Sequence, residues 1–426
     1  MTLSSPDTQT NLSTANAYGF AWAPYVVLAF VALWPMVGPA EAVLSLGALA
    51  SVAILALRRF RNGTALLSRE AWALITVLFA CYWLPEFFSA FDAVHKARSW
   101  REVFLDLRYL PFLWLAAMAV ARRRNRRLVL VGLAIIASVW ALDAAMQAVT
   151  GWSLGGANTS DRLTGVFGVK HQKLGPVLAS LLSFALAEAD RRWHSSGWIA
   201  TAALFGGVIL LAGSRASWLV YFLVILLAGW HRFGYRRLLL SLLGGTALAA
   251  LLAMSFSAQF GGRVERSLAA LHGDYTGIDV ALSGRLSIWH AALGMIVAHP
   301  INGVGVRGFR DAYEQYAAAD DFFLRQGEHS ALFAHQIVLE VLSETGTMGL
   351  TFWLLGAAVA RRAWHWALPA ARVRADAPMQ ALLVTVFPFN THLAFYSTFW
   401  GGVFLLLLAL FAGTLFAQED DAAITD

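Results

Sequence analysis

Long apolar runs, more than any motif, limit what this 426-residue chain can fold into. Stretches of about the length that carries a helix across a bilayer, ~20 residues, lie near 18–36, 40–57, 71–88, 105–121, 128–149, 173–187, 197–212, 216–230, 237–256, 335–361, 378–394 and 396–416. The expected fold is therefore all-α, a polytopic integral membrane protein of about twelve spans. The shortest runs must borrow flanking residues or sit tilted in a bundle. Composition agrees: 58% of residues are hydrophobic, 14% are charged and the mean hydropathy is +0.60, whereas a soluble domain carries ~25% charged residues. Seventeen tryptophans suit a protein with much membrane interface, where indoles favour the headgroup level.

Orientation is read from the loops, because Lys and Arg accumulate in short cytoplasmic connections. Alternate loops hold Arg58, Arg59, Arg61 and Arg69; Arg122, Arg123, Arg124, Arg126 and Arg127; Arg191 and Arg192; Arg232, Arg236 and Arg237; and Arg361, Arg362, Arg372 and Arg374. These are eighteen of the 32 basic residues, so that side is expected to be cytoplasmic, with both termini inside. The net charge of +6 is then explained by topology, and no nucleic-acid partner is expected. Residues 1–17 lack a basic segment before the first apolar run, so the first helix is expected to stay attached.

Three regions follow: an N-terminal bundle of about nine helices over 1–256, a large loop over 257–334 on the outer side, which in a bacterium is the periplasm, and about three C-terminal helices with a cytoplasmic tail over 335–426. Residues 90–104 space Phe91, Val94, Trp100 and Phe104 as a short helix lying on the outer membrane surface. The one cysteine, Cys81, sits in an apolar run, which excludes an intrachain disulfide and any CxxC site.

Charges inside spans are costly, about 2.5 to 3.5 kcal/mol each at a helix centre, so their depth carries information. Glu86, Arg108, Asp143, Lys173, Glu340, Glu344 and His392 all fall toward the outer side, which predicts a polar cavity opening outward. Arg162 and Lys170 in one loop, Arg215 in a tight turn and Arg285 in the long loop are expected at its mouth. Guanidinium forks match phosphate oxygens, so several converging on one point would hold a pyrophosphate. His335, at the outer start of a span, is the candidate general base: an imidazole with pKa near 6.5 can accept a hydroxyl proton at neutral pH. Glu340 and Glu344, on the same expected helix, are its supporting residues. Gly303-Val-Gly305-Val-Arg-Gly308 spells GxGxxG, but without a βαβ unit around it no dinucleotide site is expected. The scattered histidines give no zinc spacing, so neither metal nor cofactor is expected.

The order Gly284-Arg285, Trp289, Pro300, Gly303, Gly305, Phe309, then Ala334-His335 and Glu344-Thr-Gly346, resembles the O-antigen ligase and polymerase superfamily of bacterial envelopes. Two positions depart from the family pattern. Gln336 follows His335 where Asn is usual, and Lys170-His171 stands where Asn-Pro-Asn is more usual. The resemblance implies a GT-C-like glycosyltransferase of the bacterial inner membrane, with its active site facing the periplasm. It implies inverting, metal-independent transfer of a glycan from undecaprenyl pyrophosphate to a sugar hydroxyl of lipid A-core in lipopolysaccharide biosynthesis. In that reading His335 deprotonates the acceptor, and Arg215 and Arg285 hold the pyrophosphate. The nearest alternatives are an O-antigen polymerase and a protein O-oligosaccharyltransferase. A bicarbonate transporter is the alternative of another class, and the outward bias of the buried charges argues against its midplane site.

Overall fold

The computed structural model describes residues 21–60, 66–157, 162–169, 173–236, 284–324, 331–391 and 394–418, together with residues 239, 279 and 282. The expected ninth span at 237–256 lies outside them except for residue 239, as does the tail from residue 419. The described chain is helical almost throughout. α1 is Ala23–Ala32, α2 Val37–Phe60, α3 Arg69–Ser89, α4 Lys96–Asp106, α5 Tyr109–Ala121, α6 Arg123–Thr150, α7 Leu174–Leu211 and α8 Arg215–Phe233. Then come α9 Leu286–Ala298, α10 Phe309–Tyr316, α11 Ile337–Trp366, α12 Pro369–Thr385 and α13 Thr398–Leu415. The exception to an all-helical architecture is a two-residue antiparallel hairpin, β1 (Trp152–Ser153) with β2 (Gly156–Ala157).

Six helical stretches among the described residues are long and apolar enough to cross a membrane: Val37–Arg58, Arg69–Ser89, Lys96–Ala121, Arg123–Thr150, Leu174–Leu211 and Thr398–Leu415. α7 needs separate treatment. Thirty-eight helical residues would extend about 57 Å if straight, yet a Cβ placed on Gly175 would lie 3.2 Å from the Cβ of Ala212. The two ends of α7 are neighbours, so the helix turns back on itself. The turn is at His194, whose φ of 54° and ψ of −144° are not helical. The sequence expectation of two short spans, 173–187 and 197–212, corresponds to the two arms of this hairpin.

α13 is the axis of the bundle. Its apolar window is 89% buried, as befits a helix that is hydrophobic all round. It packs against α5 closely enough that a Cβ on Gly413 would sit 2.7 Å from the Ala117 Cα. Small residues let backbones approach in this way where lipid offers no hydrophobic drive to association.

The helices run so that the arginine-rich connections gather at one end. Arg232 at the end of α8 pairs with Asp190 and bonds Ser195 Oγ at 3.0 Å, which ties it to the α7 turn. Two of these arginines also cap helices, since Arg126 donates to the Val120 carbonyl ending α5 at 3.2 Å and Arg374 donates to the Thr414 carbonyl ending α13 at 3.1 Å. Cations belong at helix C-termini, where carbonyls lack amide partners. The opposite end carries the 162–169 loop, the α7–α8 turn, α9 and the start of α11.

The expected surface helix over 90–104 is shifted in the structure to Lys96–Asp106. His95 caps it, accepting from Arg98 N at Nδ1, 3.2 Å away. Its aromatic residues do cluster, with Trp100 packed edge-on against Phe87 and Phe91 at 5.6 and 5.0 Å.

Candidate active site

Three loops meet at the end away from the arginine-rich connections. The first carries Arg162. Gln147, near the end of α6, accepts from Thr164 N at 3.0 Å and Gly165 N at 2.9 Å through Oε1 and donates to Ser153 Oγ at 3.1 Å. Asp143, one turn earlier, accepts from Leu154 N at 2.8 Å. These bonds fix the loop on α6, and Leu163 N donates to the Leu211 carbonyl at 3.3 Å. Arg162 is thereby set beside the turn that carries Arg215.

That turn is Ala212, Gly213 and Ser214, with Gly213 at φ 74°, a left-handed conformation that glycine adopts without strain. Ser214 caps α8, accepting from Ser217 N at 3.2 Å, so Arg215 is the first residue of the helix. Arg285 immediately precedes α9. Burial, and next the positive charges of Arg215 and Arg162, hold its guanidinium down to about 10. The three arginines expected at one mouth are thus brought within electrostatic reach of each other. Lys170, the fourth, lies outside the described residues, as do His171 and His392.

His335 joins this group, but not as the first residue of a helix. α11 begins at Ile337, and His335 stands before it at φ 54°. The cap is Gln336, whose Oε1 accepts from Leu339 N at 2.6 Å while its Nε2 donates to the Pro388 carbonyl at 3.1 Å. An amide oxygen at a helix cap is the work usually done by Asn, so the Asn-to-Gln departure keeps the function with a longer arm. Two contacts hold His335 itself. Phe333 packs on its ring with centroids 3.9 Å apart, and Trp289 Nε1 donates to the carbonyl of Ala334 at 3.0 Å. Trp289 is one turn along α9 from Arg285, so this bond fixes the arginine relative to the histidine.

The imidazole is neutral to low pH. Its pKa is lowered from the expected 6.5 to about 3, first by burial and second by the positive charge of Arg285, with a hydrogen bond to the Thr391 backbone opposing both. Nδ1 is buried and has no hydrogen-bond partner among the described residues. A neutral ring whose other nitrogen donates to a carbonyl presents Nδ1 as a lone pair. That is the form a general base requires.

Glu340 and Glu344 do not line a cavity with His335. Both are buried, at 0% and 1% exposure, and both serve the backbone. Glu340 Oε1 accepts from Tyr396 N at 3.3 Å, and Glu344 Oε2 accepts from Arg307 N at 2.8 Å. Two other outward charges are likewise taken up in packing. Arg108 pairs with Glu41 at 3.3 Å, and the Lys173 ammonium sits 3.8 Å from the centre of the Phe399 ring. Glu86 is the exception: it is fully buried, and among the described residues neither of its carboxylate oxygens has a hydrogen-bond partner.

The glycine motif has a structural role that spacing alone did not reveal. Residues 300–305 lie backbone to backbone across a break in α11 at Gly346, where φ is 66° and ψ −165°. Val304 N donates to the Ser343 carbonyl at 2.8 Å, Gly305 N to that of Glu344 at 3.0 Å, and Thr347 N to that of Pro300 at 2.8 Å. A Cβ on Gly346 would fall 2.0 Å from the Ile301 carbonyl oxygen, and one on Gly303 would fall 2.4 Å from the Glu344 carbonyl carbon. Neither position tolerates a side chain. The clasp locks the long loop, and with it α9 and Arg285, onto the helix that follows His335.

Residues important to the site but missed from sequence are Gln147, Trp289 in its positioning role, and Thr391. A lone glutamine near the end of an apolar run was the available signal for Gln147. Among the described residues no group of three or more His, Cys, Asp and Glu side chains could hold a metal ion. No curated protein matches the chain significantly. Residues 200–354, which include Arg215, Arg285, Trp289, the glycine clasp and His335, match the family model described as O-antigen ligase, so that stretch is similar to the O-antigen ligase family.

Proposed function

We propose that the chain is a lipid-carrier-dependent glycosyltransferase that moves a glycan from undecaprenyl pyrophosphate to a sugar hydroxyl of lipid A-core, with about twelve spans and the site on the periplasmic side of the bacterial inner membrane. The observation that carries this reading is the convergence of Arg162, Arg215 and Arg285 beside a buried neutral histidine with an unpartnered Nδ1. Arginine charges with bidentate reach suit a pyrophosphate, and a neutral imidazole suits an acceptor hydroxyl.

In the proposed reaction His335 Nδ1 takes the proton of the acceptor hydroxyl as its oxygen attacks the anomeric carbon. The bond from that carbon to the pyrophosphate oxygen breaks with its electron pair on the leaving group. Undecaprenyl pyrophosphate departs with one more negative charge, and the sugar is inverted. The arginines meet the charge where it develops, the placement that contributes most in a water-poor site. An imidazolium beside Arg285 is unfavourable alone, and the bound pyrophosphate offsets it.

Purified protein given undecaprenyl-pyrophosphate-linked glycan and lipid A-core tests the reading directly. Glycan appearing on the lipid A-core supports it. Transfer only to the growing end of a second lipid-linked glycan would make the chain a polymerase that shares the same donor half-site. No transfer to either acceptor would remove the glycosyltransferase reading.

A further inference from the structure

The cavity between α3, α11, α12 and α13 has a volume of about 400 Å³ and lies away from the candidate site. Leu78, Cys81, Trp353, Gly356, Phe404 and Phe411 are among its walls. It extends along α11 from Phe352 to Trp364, about 18 Å at the helical rise. Toward His335 it is closed by a packed polar layer. There Tyr82 Oη donates to Asp106 at 3.2 Å, and the Tyr396 and Thr345 hydroxyls bond at 2.9 Å. At its other end stands Arg361, exposed, and its neighbour Arg362 is held over the Trp366 ring at 4.2 Å.

Such a space does not stay empty in a bilayer. Wall atoms without partners lose their dispersion contacts, and water needs two to four polar partners that these walls lack. An apolar chain fits the walls, and the cation at the open end indicates what the chain is attached to. Because the polar layer blocks the side nearer His335, the occupant enters from the Arg361 end, away from the pyrophosphate site.

We propose that this cavity seats an acyl chain of an anionic phospholipid, with Arg361 meeting the phosphate. The lipid fills the space beside the packed α3 and α11 below the Gly346 break and stabilises the half of α11 that the glycine clasp does not hold. This inference does not depend on the glycosyltransferase reading.

The test uses the full chain in phosphatidylcholine vesicles with a trace of phosphatidylglycerol that carries a diazirine in its acyl chain. After irradiation and digestion, adducts are expected on the cavity walls of α3, α11, α12 and α13, in excess over the lipid-exposed faces at Leu46, Leu49 and Val139. Unlabelled phosphatidylglycerol should compete better than phosphatidylcholine by about fivefold, the effect of one basic residue at an anionic surface. Arg361→Ala should abolish that preference, and Ala357→Trp should remove the adducts. Three results on the unmodified chain would overturn the proposal. Adducts spread evenly over lipid-facing residues would mean no site, and wall residues that never react would mean that another segment of the chain fills the space. Undecaprenyl phosphate competing better than phosphatidylglycerol would give the cavity to the carrier.

Discussion

Trp289 Nε1 donates to the carbonyl of Ala334 at 3.0 Å, joining the helix that follows Arg285 to the residue that precedes His335. Ala334 is fully buried, so its carbonyl has no water to turn to when the indole is removed. Trp289→Phe keeps the ring and loses the donor, at a cost of about 1 to 3 kcal/mol for the stranded acceptor. Transfer rate is expected to fall at least tenfold while donor affinity changes little, since the arginines remain. Steady-state kinetics with a donor-binding measurement checks the split. Unchanged turnover would mean that the bond only stabilises the fold.

Gly346→Ala is expected to be more damaging. The substitution forces a side chain into a positive-φ position and onto the Ile301 carbonyl, and backbone strain alone costs of order 1 to 3 kcal/mol. The clasp should open, releasing Arg285 from its place near His335. Thermal unfolding followed by size-exclusion chromatography measures the loss. Wild-type stability would show that the break in α11 is not needed.

The pH dependence should differ from that of an ordinary histidine. Only the neutral imidazole accepts a proton, so activity through His335 is lost as pH falls through its pKa. Burial and Arg285 lower that pKa to about 3. The kcat/KM profile, which reports free enzyme, is therefore expected to stay flat from pH 8 down to about 5. The kcat limb should lie at higher pH, because bound pyrophosphate favours the imidazolium. A kcat/KM limb near pH 6.5 would place the base in a wetter setting.

The six long apolar helical stretches among the described residues were legible in the sequence because apolar length is a local property. Even the α7 hairpin appeared as two short runs. The register of the surface helix was not, since His95 sets its start through a cap bond. At the site, the residue types of Arg162, Arg215, Arg285 and His335 pointed to their chemistry without any contact being known. The hydrogen bonds of Glu340 and Glu344 were not legible because a carboxylate in a span looks the same whether it faces a cavity or an amide. Tyr396 N and Arg307 N come from distant loops, and no spacing in α11 announces them. The GxGxxG string shows the same limit: Gly303 answers to the backbone at Glu344 and Thr345, about forty residues on, and Gly305 to Ala93, far upstream.

Orientation is tested by single cysteines in a Cys81→Ser background. Leu332→Cys lies near His335 and Trp366→Cys at the arginine-rich end, and both positions are exposed. In intact spheroplasts an impermeant maleimide should label the first and reach the second only after permeabilisation. The reverse pattern would put the site on the cytoplasmic face.

The most direct measurement compares donor binding with single-turnover transfer in His335→Gln and Arg285→Lys. A positioned base is worth about 10²- to 10⁴-fold in rate, so His335→Gln should bind undecaprenyl-pyrophosphate-linked glycan like wild type and transfer it at least a hundredfold more slowly. Lysine keeps the charge of Arg285 but not its fork, so Arg285→Lys should weaken donor binding as well as transfer. If His335→Gln keeps more than about a tenth of wild-type transfer, the proton goes elsewhere and the assignment of His335 as base is wrong.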